Sequence, residues 1–288
     1  MIALDLEFRA VGAVTVMSRR RHRWPFHVGR LFPGDTSSSP PTVILQNVAG
    51  TVIPGDRVTC RYRVHAGGGV RIRGQGAVTI TGAPGARACG EHNAIRVDDG
   101  ATVVVDTGLR IVGPHAVYRP RTHLVVAPGA NAILVEGNMI HPDCNELGFG
   151  LIDSVTTVRD TRDRQRRAID GQLITAAPAP ETRLRAYGTV FVVGDERCRG
   201  QLHQELLRCE RDPSAYCAVS RLPYGLGLAV RVAAPDGGVL ATTLRRVRHI
   251  AEHAITSWDT PAAGPLTDDP TPGTTLPDLE PQPICWSA

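Results

Sequence analysis

The chain has 288 residues, 42% hydrophobic and 21% charged, long enough to bury a full core without disulfide or metal staples. Its formal net charge is +4 and all 32 basic side chains are arginine, which excludes a lysine Schiff base, a lysine general base and a phosphate-loop lysine. Aromatic residues make up only 5%, so Val, Ala, Leu and Ile must fill the core, and no stretch reaches the roughly 20 apolar residues of a membrane helix.

Ile2, Leu4, Leu6 and Phe8 alternate on one face and are followed by Val11, Ala13, Val14 and Val16, a period of two that predicts strands over 2–17. Arg19, Arg20, Arg21 and Arg23 then form a basic knot, read as a solvated turn or as a docking patch for an acidic partner. No basic helix or interleaved aromatic platform accompanies it, so nucleic acid is not an expected partner. A Pro/Ser loop at Pro33–Pro41 leads to a strand at 43–48 and a turn-rich loop at 49–56. Strands are expected at 58–64, 69–73, 77–81, 94–97, 102–106, 109–112, 122–126 and 132–136.

Three phrases recur within that succession: Val64–Val70, Val97–Val103 and Val126–Ala132. Each is a β-rich run, a tight Gly turn and a second β-rich run. Their glycines, Gly67, Gly100 and Gly129, lie 33 and 29 residues apart. A near-constant period points to one unit stacked on itself, as layered hairpins or as β-coils. An ordinary meander of similar hairpins is the alternative.

Residues 151–175 predict two strands around a charged hairpin at 159–167, and 187–193 a buried strand. Helical spacing appears late. Leu202, Leu206 and Leu207 mark a helix over 200–211, and Leu240, Leu244, Val247, Ile250, Ala251 and Ala254 a second over 239–255. The fold class is therefore mainly β, a layered β-sheet or β-helix-like architecture with about two late α-helices. Residues 1–258 read as one domain. Residues 259–288 read as a Pro-rich acidic tail, extended or disordered; the stretch 249–288 carries six acidic residues and no arginine. The seven cysteines are scattered without a C-x-x-C, and charged Asp5, Glu7 and Arg9 break the only signal-like stretch. This predicts a cytoplasmic protein with reduced thiols.

Four constellations carry candidate chemistry. Asp56 follows Pro54-Gly55 at a strand entrance, either as a turn cap or as a carboxylate offered to a metal or partner. His141, Asp143 and Cys144 place imidazole, carboxylate and thiol within four residues, a weak metal site or a plain turn. His249 and His253 share a helix face, solvated or chelating. Cys198, Cys209 and Cys217 with His203 match no zinc module and read as buried small hydrophobes. A nucleophile elbow, a Walker loop and a dinucleotide fingerprint are all missing from the sequence.

Read together, these features resemble the UreD/UreH family of urease accessory proteins, over roughly residues 28–150 and again at the extreme C-terminus. The family's Gly-Gly-x-x-Gly-Gly-Asp-Arg-Leu motif is matched by Ala49-Gly50-Thr51-Val52-Ile53-Pro54-Gly55-Asp56-Arg57-Val58, with each double glycine thinned to one. Its Val-x-x-Gly-Ala turns are matched at Val64–Gly68, Val97–Ala101 and Val126–Ala130, the last followed by Glu136. Pro283-Ile284-Cys285-Trp286 stands where the family ends in Pro-Arg-Ile-Trp.

The resemblance implies a non-enzymatic chaperone. It would bridge apo-urease to a complex of a helical accessory protein and a nickel-carrying GTPase, as part of a hetero-oligomer. It would assist nickel insertion, holding nickel transiently and no tightly bound cofactor. Asp56 and Glu136 carry over as conduit residues and Glu146 more loosely, because isolated carboxylates release a metal that a His/Cys cage would trap. Two other readings stay open: a carbohydrate-active enzyme on a β-solenoid, which the scarcity of aromatic platforms disfavours, and a purely structural β-module.

Overall fold

A computed structural model describes residues 2–34, 39–145, 148–163, 167–179, 183–194 and 199–256. Strands β1 (Ile2–Val11) and β2 (Val14–His22) form an antiparallel pair, as do β3 (Phe26–Phe32) and β4 (Thr42–Asn47). The chain then winds. Strands β6 (Arg57–Val64), β9 (Gly90–Val97), β13 (Arg121–Val126) and β15 (Leu151–Asp160) lie parallel in one sheet. Strands β4, β7 (Gly69–Gly74), β10 (Thr102–Asp106) and β14 (Asn131–Ile140) lie parallel in the facing sheet. Short strands β5 (Thr51–Val52), β8 (Val78–Ile80) and β11 (Arg110–Val112) stack onto the end of β14, and β12 (Val117–Tyr118) pairs with β15.

The three repeated phrases are the corners between these sheets. Each of β6, β9 and β13 runs through its glycine turn into β7, β10 or β14 of the other sheet, so the units are coils, not hairpins. Gly67, Gly100 and Gly129 sit at φ +67°, +62° and +68°, left-handed backbone that favours glycine. The sequence period is one turn of the coil. It sets Val64, Val97 and Val126 side by side in one sheet and Gly69, Thr102 and Asn131 side by side in the other.

Packing follows from the pleat. Alternate residues of each strand face inward. Tyr62, Val64, Ile95, Val97, Leu124 and Val126 meet Val70, Ile72, Val103, Val105, Ala132 and Leu134, and Leu4, Leu6 and Phe8 join the same core. A second apolar cluster fills the other end of the coil with Val52, Val78, Ile80, Val112, Tyr118, Ile140 and Ile152.

Beyond β15 the chain turns antiparallel. Strand β16 (Arg167–Ile174) borders the first sheet, and β17 (Ala186–Val193) crosses to pair with β14. After helix α1 (Arg199–Leu207) and a short 3-10 turn, β18 (Tyr216–Arg221) and β19 (Gly227–Ala234) extend the second sheet. Helix α2 (Gly237–Thr256) covers its outer face, where Leu202, Leu206, Leu240, Leu244 and Val247 pack on Val104, Ile133, Val135, Val190 and Val192. Among the described residues no helix is long and apolar enough to cross a membrane.

The structure corrects several expectations. Arg19–Arg21 belong to strand β2, not to a turn. Arg19 is held by Asp5 at 2.9 Å and Glu7 at 3.3 Å, and Arg20 Nη2 donates to the Val28 carbonyl at 2.5 Å. The expected loop at 49–56 contains the two-residue strand β5. Four strands lacked a legible pattern: β3, whose register breaks between Val28 and Leu31, the two-residue β12, and β18 and β19. Strand β19 is buried on both faces over its first four residues, so its apolar residues run on there without alternation.

Candidate functional site: a polar seam between the sheets

Between the two apolar clusters the inward positions change character. On β9 the residues in phase with Ile95 and Val97 are Asn93 and Glu91. On β14 those in phase with Leu134 are Glu136 and Asn138, before Ile140 resumes the apolar pattern. Strand register aligns Cys60, Asn93, Thr122, Thr156 and Asp170 in a row across β6, β9, β13, β15 and β16. The seam therefore runs across the strands. Two cavities open along it. One of about 50 Å³ is lined by Glu136, Thr122, Thr156, Asp170 and Thr189 among others. The other, about 340 Å³, reaches Phe26, Asn47, Cys60, Tyr62 and Gly76. Glu91, Asn93, Thr107 and Arg110 line both.

Glu136 is the open carboxylate of the seam. Thr122 Oγ1 donates to its Oε1 at 2.8 Å, and Thr156 Oγ1 lies 2.8 Å from Oε2 and 3.0 Å from Oε1. Its side chain lines the smaller cavity. Burial pushes its carboxyl above the usual carboxylate range, against the lowering effect of the two threonine hydroxyls. Asp170 across the cavity adds to the rise and is itself tied to Arg231 of β19.

Glu91 is the closed one. Arg110 of β11 grips it with Nε on Oε2 at 2.5 Å and Nη2 on Oε1 at 2.9 Å, and Tyr118 Oη donates to Oε2 at 2.6 Å. Burial alone would raise the Glu91 carboxyl, but the guanidinium and the phenol outweigh it and hold the group below its ordinary value. The Arg110 pKa is raised in turn: burial opposes the charge, and the Glu91 carboxylate more than offsets it.

The other candidates stand elsewhere. Asp56 caps its turn, its Oδ2 accepting from the Ile53 N–H at 3.1 Å. Glu146 lies outside the described residues, as do Cys198 and Cys285. In the 141–144 loop His141 Nδ1 is 3.5 Å from Asp143 Oδ2, and Asp143 is mostly exposed. Cys144 turns inward, is 1% exposed and gives its thiol to the Val112 carbonyl at 3.4 Å. The thiol thus points away from the imidazole and carboxylate, and burial raises its pKa. Cys209 and Cys217 are buried under the helices, and His249 and His253 lie exposed on α2. Among the described residues no three His, Cys, Asp or Glu side chains converge on one metal position. The sequence reading found Glu136 but missed Glu91 and Arg110. The usable signal was phase: a carboxylate in step with inward Val and Ile residues.

The family model described as UreD urease accessory protein matches residues 2–264. A protein named urease accessory protein UreD from Mycolicibacterium smegmatis is 43% identical over 243 residues, covering 84% of this chain and 88% of its own. One named urease accessory protein UreD 1 from Methylorubrum extorquens is 32% identical over 260 residues, covering 86% of each.

Proposed function

The chain belongs to the UreD family of urease accessory proteins, and from that premise we propose that it bridges apo-urease to the other accessory proteins and passes nickel through its polar seam to the urease active site. The observation that carries this reading is Glu136, an inward carboxylate on a cavity between two apolar clusters. A buried carboxylate is costly and needs a reason. Carboxylate and hydroxyl oxygens bind nickel less tightly than imidazole or thiolate, which suits an ion in transit rather than a resident one. The partners in this reading are apo-urease, a helical accessory protein and a nickel-carrying GTPase, in the cytoplasm. The chain itself acts without catalysing a reaction.

The test is nickel content. Apo-urease co-expressed with the other accessory proteins and this chain is expected to be purified with nickel, and without this chain to be purified nearly free of it. Equal nickel in both preparations, where activation is otherwise competent, overturns the proposal. Within that system Asp56→Ala is expected to lower nickel while assembly with the helical accessory protein persists. Unchanged nickel would leave Asp56 as the turn cap that its bond to Ile53 makes it.

A further inference from the structure

Glu91 and Arg110 stand in the wall that the two cavities share. Their side chains are 7% and 11% exposed. Every N–H of the guanidinium is used. Nε and Nη2 hold Glu91, Nη2 also reaches Thr107 Oγ1 at 3.3 Å, and Nη1 donates to the carbonyls of Thr107 at 3.1 Å and Gly108 at 3.0 Å. Both oxygens of Glu91 are occupied by Arg110 and Tyr118. Glu136, by contrast, meets only rotatable hydroxyls, whose oxygens can turn toward a cation.

An ion moving along the seam from one cavity to the other must pass this pair. If the pair were only a clip between the sheets, apolar side chains of similar size would serve as well or better. Arg110 has two anchorages, the carboxylate and the two backbone carbonyls. It can release the first while keeping the second, so Nη1 stays hydrogen-bonded as Nε and Nη2 leave the carboxylate.

We infer that Glu91 is a divalent-cation site held shut by Arg110: the guanidinium occupies the place of the ion on the carboxylate, and the ion crosses by displacing it onto Thr107 and Gly108. This rests on the conduit reading above. The step is an exchange of counter-ions, with no bond made or broken beyond coordination and hydrogen bonds. The gate excludes monovalent ions because one charge cannot compete with a bidentate guanidinium, whereas two charges can.

Nickel chloride titrated calorimetrically into the purified full-length chain tests the gate directly. Arg110→Gln is expected to gain a nickel site at least about tenfold tighter than any in the parent. The double variant Glu91→Gln/Arg110→Gln is expected to lose that gain. Arg110→Gln with parent-like circular dichroism and parent-like nickel binding overturns the inference.

Should Arg110→Gln fail to fold, Glu91→Gln removes the charge while its one amide oxygen can still accept from Arg110 Nε and Tyr118 Oη, at the loss of the Nη2 bond. It is expected to lower nickel in co-expressed urease about tenfold at equal levels of the chain. If Glu136→Gln lowers urease nickel and Glu91→Gln does not, the gate falls and the conduit stands. If neither does, both fall.

Discussion

Glu136→Gln is expected to reduce the nickel in purified urease by about tenfold or more, and at the same time to stabilise the accessory chain that carries it. The two effects have one cause. The carboxylate is kept in an interior where its charged form is disfavoured, and Gln fills the same space and keeps an acceptor for Thr122 and Thr156 without the charge. Its folded pKa is raised above the ordinary 4.5. The native state therefore holds the proton more tightly than the unfolded chain. The stability this confers is complete below the unfolded value and is lost as pH rises through the folded value. Gln does not titrate, so the stability advantage of the variant should be absent at acid pH, appear above about 4.5, and level off above the folded pKa. Denaturation midpoints across that range, beside nickel analysis of urease matured with the variant, check both halves. A variant that is more stable at neutral pH and still loads urease fully would remove Glu136 from the path.

A large loss of stability is expected from Gly74→Ala. Gly74 ends β7, one coil before Thr107. A Cβ at position 74 would lie 2.3 Å from the Thr107 carbonyl oxygen and 2.6 Å from its carbon. Those are backbone atoms, and they cannot rotate away as a side-chain tip can. The two coils must separate, at a cost of about 3 kcal/mol, the upper part of the range for overpacking a close contact. Thr107 and Gly108 also hold Nη1 of Arg110, so the displacement reaches the shared wall of the cavities. Urea unfolding should show a lower midpoint with an unchanged slope. A loss below about 1 kcal/mol would mean that neighbouring coils slide more easily than their contact suggests.

Much of the fold was legible because its physics is local. The glycine corners need left-handed backbone, and only their spacing had to be read to find the stack. Whether each corner joined two strands of one sheet or passed between sheets was not legible, since a hairpin and a coil of equal length share one pattern. The helices announced themselves by apolar spacing on one face. Strand β19 did not announce itself, because burial on both faces erases alternation. In the site, Glu136 came from the family resemblance. Glu91 and Arg110 lie 19 residues apart on different sheets, and only the winding of the coil brings them within 2.5 Å. The His141–Cys144 loop shows the opposite case: proximity along the chain, with the thiol turned to the core and the carboxylate to solvent.

The seam crosses the strands, and so its length is measured in strands. The row from Cys60 to Asp170 spans β6, β9, β13, β15 and β16, four spacings of about 4.8 Å, or roughly 19 Å. Lengthening the strands would thicken the apolar walls and leave that distance unchanged. Inserting or deleting one whole coil would change it by a single step. The coil count is thus a ruler, and relatives that differ by a coil would differ in reach by about 5 Å while keeping the same cross-section.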